Sequence, residues 1–421
     1  MPSAASPRAG IRVAVTGCGV VSPLGNDLGA FDDALFAGRS AVRAHALDLP
    51  GIDLPPVPIA AADFDATRMT APSRVPLDRG SALALAAGDD AARAAGLAAD
   101  AIDGERLGIF WGSSMAGAAT FEATCRTVYA ERRRMRPTSV VTTMPNAPVA
   151  ELALRFGARG AALAYACACA SSAVAIGEAM RAIRAGWIDI AIAGGSESML
   201  TPGVLASWQA MRVLAPVATG DAAEATTRRA CRPFAADRAG FALGEAAAAF
   251  VLESLDHARG RGALAQFHLA GYATNCDGVH ITNPDAAGQA RAMRAALADA
   301  GLDAAAIGYL NAHGTATLAG DAAEADSVAR VFGAGGVPVS STKAIHGHLL
   351  GAGGAIELLV ALRALAARRL PPNANVDAAD PAFAIDLVSG GARVSASLAA
   401  AMSNSFAFGG TNAVLVATRA D

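Results

Sequence analysis

The chain has 421 residues, more than one hydrophobic core ordinarily serves, so two domains or one duplicated domain is expected. Hydrophobic residues make up 53 % and charged ones only 17 %, a balance that implies extensive burial, a subunit interface included. The formal net charge is −3, and no aromatic-plus-basic stripe accompanies it, which excludes a nucleic-acid partner.

Six cysteines (Cys18, Cys125, Cys167, Cys169, Cys231, Cys276) are spread over a long chain. Disulfide frameworks belong to short secreted domains, so these read as reduced thiols of a cytoplasmic protein. The N-terminus has no basic cluster leading into an unbroken apolar segment and does not read as a signal peptide. Residues 159–178 carry no charge between Arg159 and Glu178, roughly the length of a membrane span. They are mostly Ala, Cys, Ser and Gly, whose transfer energy is small, so the segment reads as a buried helix and its approach, not as a span.

In chain order, residues 1–10 read as a loose tail. "IRVAVTGCGVV" is a strand that breaks at Ser-Pro-Leu-Gly, and "DRGSALALAAGDDAARAAG" is helical. "RLGIFWGSS" is a strand ending in a glycine turn. "AALAYACA", "SSAVAIGEAMRAIRAG" and "IDIAIAGGSES" then read as strand, helix and buried strand, the βαβ unit of a parallel sheet. The second half repeats the arrangement. "RAMRAALADAGL" is helical, "IGYLNAHGT" runs from strand to loop, "VPVSSTKA" is a short strand, and "GHLLGAGGAIELLVALRALAARRL" is a long helix rich in small residues. An internal duplication follows, with halves at 11–255 and 256–421, although no literal repeat is visible.

Cys167 and Cys169 stand two apart in an extended segment and so share a face. Cys169 is nearer the helix start, where unpaired N–H groups and the helix dipole favour a thiolate. Burial of both as small apolar residues is the plainer alternative. Three further segments bear on it. "NAHGTATLAGD" sets His313 at a strand end, "STKAIHGHLLGAGGAIE" sets Lys343, His346 and His348 before the second small-residue helix, and "SNSFAFGGTNAVLV" makes a glycine-bearing turn. Strand ends and helix starts are where α/β folds assemble their sites.

On these segments, together with "VAVTGCGVVSPLGND", "AGGSESM", "RPFAADRAGFALGE" and "HITNPDAAG", the chain resembles the elongating β-ketoacyl-acyl-carrier-protein synthases, within the thiolase-fold condensing enzymes. The resemblance covers nearly the whole chain. It implies an α/β, thiolase-like fold of duplicated βαβ halves in a five-layered α-β-α-β-α arrangement, the first half carrying the nucleophile and the second the histidines and lysine. It matches Cys169 to the acyl-accepting nucleophile, His313 and His348 to the two histidines of the triad, Lys343 to the organising lysine and Glu357 to its buried carboxylate. Thr315 and Thr317 match threonines that contact the pantetheine arm. Phe408 resembles the gating phenylalanine of a turn that includes Phe406, Gly409 and Gly410, and its backbone N–H would form the oxyanion hole with that of Cys169.

The implied reaction is ping-pong. An acyl chain moves from a carrier protein onto Cys169, and malonyl-carrier protein then loses CO₂ and attacks that thioester. The enolate would be held by N–H bonds from neutral His313 and His348. The resemblance implies no cofactor and no metal; a Cys167/Cys169/His346/His348 tetrahedral set lacks zinc-ribbon spacing. It implies acyl carrier protein as partner and a homodimer, or a heterodimer with a related subunit. The "ERRRMRP" cluster offers Arg133, Arg134 and Arg136 for docking the acidic carrier, with a solvated helix face as the alternative. A degradative thiolase would carry a second cysteine in the C-terminal turn, a chain-initiating synthase an asparagine for the second histidine, and a non-catalytic chain-length subunit no nucleophile. Departures from the family pattern are His346, Ala246, Ala248 and Ala407, the last expected to stiffen the gate. They leave fatty-acid elongation and dedicated polyketide or aryl-polyene assembly both open.

Overall fold

The computed structural model describes residues 11–97 and 102–420; the tail at 1–10 lies outside them. The first half contributes β1 (Val13–Val21), α1 (Arg79–Ala94), β2 (Leu107–Gly112), α2 (Ala147–Phe156), β3 (Ala162–Tyr165), α3 (Ser171–Arg184), β4 (Ile190–Glu197) and β5 (Ala246–Ser254). The second contributes β6 (Phe267–Cys276), α4 (Ala286–Ala300), β7 (Tyr309–Asn311), α5 (Leu318–Phe332), β8 (Pro338–Ser340), α6 (Gly353–Ala367), β9 (Ala400–Phe406) and β10 (Thr411–Arg419).

The duplication shows in the strand order. The first half runs β3-β2-β4-β5-β1 across its sheet, and the second runs β8-β7-β9-β10-β6, the same permutation. In both, the outer pairs β2–β3, β2–β4, β7–β8 and β7–β9 are parallel, while β4–β5, β5–β1, β9–β10 and β10–β6 are antiparallel. The sheet is therefore mixed where the sequence pattern suggested a parallel one. A reason is visible between β9 and β10: four residues join them, and only antiparallel neighbours can share so short a turn. Antiparallel pairing of Val13–Val15 with Phe267–Leu269 joins the halves at β1 and β6.

Helices α1 and α2 cover the outer face of the first sheet, and α4 and α5 that of the second. Between the sheets lie α3 and α6, packed on each other and on both inner faces. Five layers result, with three apolar cores between them. Small residues make the middle layer possible. A Cβ on Gly177 of α3 would stand 2.3 Å from the Tyr272 ring, so only glycine lets α3 lie against β6 there.

Three of the four outer helices are capped by side chains: Asp78 accepts from Gly80 N–H, Asp285 from Ala287 and Gly288 N–H, and Thr317 from Gly320 N–H, while α2 has Pro148 in its first turn instead. The two central helices have no side-chain cap. Each is instead preceded by a 3₁₀ turn, 168–170 or 350–352, whose first residue has positive φ, +48° at Ala168 and +47° at Leu350. This shared irregularity is the duplication at residue resolution, and the first turn of α6 is met from α3, where Ser172 Oγ accepts from Ala355 N–H at 2.9 Å. Residues 159–178 comprise β3, the first 3₁₀ turn and the start of α3, not one helix. Among the described residues one helical stretch, Leu350–Ala367, is long and apolar enough to cross a membrane, and 83 % of it is buried inside the protein.

Candidate active site

Cys169 sits in the 3₁₀ turn before α3, 6 % exposed, with its Sγ 3.0 Å from His348 Nε2. His348 precedes the matching turn before α6, so the pair joins the two pseudo-equivalent helix starts. His313 follows β7 and meets His348 edge to face, ring centroids 5.4 Å apart. The sulfur and one nitrogen from each ring lie within 4.8 Å of one another. The backbone N–H groups of Phe408 and Cys169 itself both point at the sulfur. These residues and Phe406 line one cavity of about 300 Å³.

Burial pushes the Cys169 thiol up to about 12, against the pull of Lys343 and of the two N–H groups. This reverses the expectation from the helix start: desolvation of a fully enclosed sulfur outweighs the dipole, and the resting group is a thiol. His313 and His348 are held well below the usual imidazole range, first by burial and then by the Lys343 charge, so both are neutral. Nδ1 of each ring is buried without a hydrogen-bond partner. The tautomer protonated at Nε2 therefore leaves no buried donor orphaned and directs both N–H groups into the cavity.

Lys343 is fully buried and paired with Glu357 Oε1, whose other oxygen has no partner; burial, offset by Lys343, pushes Glu357 up to about 7. Thr315 and Thr317 line the cavity, their hydroxyls 3.0 Å apart. Gly409 and Gly410 lie in the Phe408 turn at φ +87° and +80°, and Gly409 N–H donates to Ile281 O at 2.7 Å. Ala407 is half-buried and packs against the central core and the smaller cluster that holds Cys169. Ala246 and Ala248 are fully buried in β5.

Other sequence candidates stand apart. Cys167 does not share a face with Cys169; it packs against the central core, while Cys169 belongs to a separate cluster, because the Ala168 bend rotates one away from the other. His346 has both nitrogens occupied: Nδ1–H donates to Gly347 O and Nε2 accepts from Thr342 Oγ1. The drawn Cys167/Cys169/His346/His348 set is thus not assembled. Arg133, Arg134 and Arg136 are exposed and line a different groove of about 550 Å³, with Arg133 paired to Glu131.

Three further residues support the site. Glu324 accepts from the N–H groups of His313 and Gly314 at 2.8 and 2.6 Å and from Asn404 Nδ2 at 3.2 Å, fixing the loop that carries the imidazole. Its signal in the sequence is the Asp321/Glu324 pair, three apart on one face of the helix after the His-Gly-Thr loop. Phe241 and Trp208 supply aromatic walls; Phe241 lies within the quoted "RPFAADRAGFALGE" segment without being singled out, and no local motif marks Trp208.

A thiol and two neutral imidazoles at paired helix starts, between the halves of a duplicated five-layered α/β fold, define a thiolase-fold condensing enzyme. The family comparisons agree. Residues 11–258 match the β-ketoacyl synthase N-terminal domain and residues 267–377 the β-ketoacyl synthase C-terminal domain. Nodulation protein E of Rhizobium sp. (strain N33) is 36 % identical over 414 residues, covering 96 % of this chain and 98 % of that protein. The 3-oxoacyl-[acyl-carrier-protein] synthase 2 of Vibrio cholerae is 36 % identical over 416 residues, covering 97 % and 99 %. A solved structure described as a type II PKS acyl-carrier protein in complex with its ketosynthase bound to the hexaketide aligns with a TM-score of 0.87 and 28 % identity, over 98 % of this chain and 100 % of that one. The chain belongs to the β-ketoacyl synthase family, acyltransferases that form carbon–carbon bonds.

Proposed function

We propose that Cys169 carries the growing acyl chain and that the enzyme lengthens it by two carbons with malonyl-acyl-carrier protein. The observation that carries this reading is the convergence of Sγ, two N–H groups and two neutral imidazoles in one enclosed cavity. In the first half-reaction the sulfur bonds to the acyl carbonyl carbon, the carrier's C–S bond breaks, and the thiol proton leaves with the carrier sulfur. Phe408 and Cys169 N–H stabilise the oxyanion. In the second, the malonyl carboxylate departs as CO₂, and its electron pair passes to an enolate held by His313 and His348 Nε2–H. The enolate carbon attacks the acyl thioester, and the Cys169 sulfur leaves and takes a proton. The Lys343–Glu357 pair organises the space behind the imidazoles, and Thr315 and Thr317 hold the pantetheine arm.

The carrier protein is the partner, docked by Arg133, Arg134 and Arg136. The free edge of β3, where Leu163 is 46 % exposed, suits a second subunit, the same or a related one. Along the chain the boundary between the two halves falls between β5 and β6, near residue 255. Six free cysteines suit the cytoplasm. A second reading, dedicated type II polyketide or aryl-polyene assembly, is favoured by the fit to the hexaketide-bound ketosynthase. The test incubates the protein with malonyl-carrier protein and acyl-carrier proteins of several lengths and weighs enzyme and products. Acyl mass on Cys169, absent in Cys169→Ala, is expected. Loading of no chain at all would remove the enzymatic reading, and the chain series separates the two pathways.

A further inference from the structure

Trp208 belongs to none of the motifs above, yet its ring stacks on Phe408, centroids 6.2 Å apart and planes 21° from parallel. Its edge meets Phe241 at 5.7 Å and 74°, and Phe241 meets His348 edge to face at 5.1 Å. All four rings line the cavity at Cys169. A continuous aromatic chain therefore runs from the turn at the cavity mouth to the imidazole that touches the sulfur.

The two stacked rings rest on unlike supports. Trp208 projects from the helix Pro202–Ala210, which is anchored by buried Leu205 and by Glu122, whose carboxylate accepts from Thr201 Oγ1 at 2.5 Å and Gly203 N–H at 3.1 Å. Phe408 rides on a turn with two left-handed glycines, tied to the neighbouring loop by the Gly409–Ile281 bond. Glycine at two positions gives the turn the wider choice of backbone torsions, so of the two supports it is the one suited to move.

We propose that Trp208 is a positioning residue, a latch that holds the Phe408 ring beside Cys169 and so sets how readily a long acyl chain displaces it. The inference rests on Phe408 acting as the gate. A short chain reaches the sulfur with the ring in place, whereas a long chain must lift it off the indole. Loss of the stack removes an aromatic pair interaction and favours displacement by roughly two- to tenfold. Phe241 extends the effect toward His348, because the indole edge is one of the walls fixing that ring.

The test measures Cys169 loading by mass with hexanoyl- and hexadecanoyl-carrier protein and compares the ratio of the two rates, which cancels any general loss of folded enzyme. Trp208→Leu is expected to raise the long-to-short ratio by roughly two- to tenfold, and Trp208→Phe, which keeps a stacking ring, to restore it. The tryptophan emission difference between wild type and Trp208→Phe is expected to shift when Cys169 is acylated. An unchanged ratio in Trp208→Leu, or Trp208→Phe behaving like Trp208→Leu, overturns the latch. Phe408→Ala separates the two levels. If it changes the ratio while Trp208→Leu does not, the gate stands and the latch falls; if it changes nothing, the gate reading fails as well.

Discussion

At Cys169 two effects of opposite sign meet. The start of α3 offers N–H groups that favour a thiolate, and the surrounding protein removes the water a thiolate needs. Burial dominates and pushes the thiol up to about 12, so the sulfur rests protonated. Alkylation of Cys169 by iodoacetamide, followed by mass, should therefore rise about tenfold per pH unit from 7 to 9 without a plateau. A plateau near pH 7 would mean that the helix start prevails. Lys343 and Glu357 pose a related question, because a buried ion pair is weak evidence for stability by itself. Lys343→Met should cost about 3–5 kcal/mol in denaturant unfolding by leaving Glu357 alone. Lys343→Met combined with Glu357→Leu should recover most of that stability. Recovery of condensation as well would show the pair to be structural only.

The elements that matter most are the two central helices. Their small residues let them pass between sheets, and the turn before α3 supplies one N–H of the site, that of Cys169, beside the N–H of Phe408. The packing is tight enough to be tested at one position: Gly177→Ala drives a Cβ into the Tyr272 ring and should lower stability by about 1–3 kcal/mol in denaturant melts. An unchanged midpoint would show that β6 yields there. The Phe408 turn is built differently, on two left-handed glycines and a backbone bond from Gly409 to Ile281. Ala407 in that turn packs against the central core and the cluster that holds Cys169.

Across the whole molecule, buried titratable groups are arranged in opposition. His346, held down to about 3 by burial and Lys343, stays neutral when folded, whereas the unfolded chain binds a proton below about 6.5, so its contribution is lost as pH falls. Asp321 and Glu357, pushed up to about 7 mainly by burial, keep protons that the unfolded chain releases above roughly pH 4, so theirs is lost as pH rises. The two slopes oppose each other between pH 5 and 7, and His346→Gln should remove its share of one, gaining about 2 kcal/mol on the wild type between pH 7 and pH 5. Equal pH dependence in urea unfolding would show His346 to be protonated in the fold. At the surface, charge reversal at Arg133, Arg134 and Arg136 should raise KM for acyl-carrier protein and spare small thioester substrates; equal loss for both would refute docking. What the sequence by itself determined was local. β-branched runs, small-residue helices and the order of Cys169, His313, Lys343, His348 and the Phe408 turn each lie within a few residues, and they carried the duplication, the family and the site residues. What only the tertiary structure decided was long-range. The sign of the Cys169 shift depends on how completely other elements exclude water. The separation of Cys167 depends on one bend at Ala168. The service of Phe241 and Trp208 as walls arises where distant segments meet, and no spacing along the chain encodes that contact, which only folding makes.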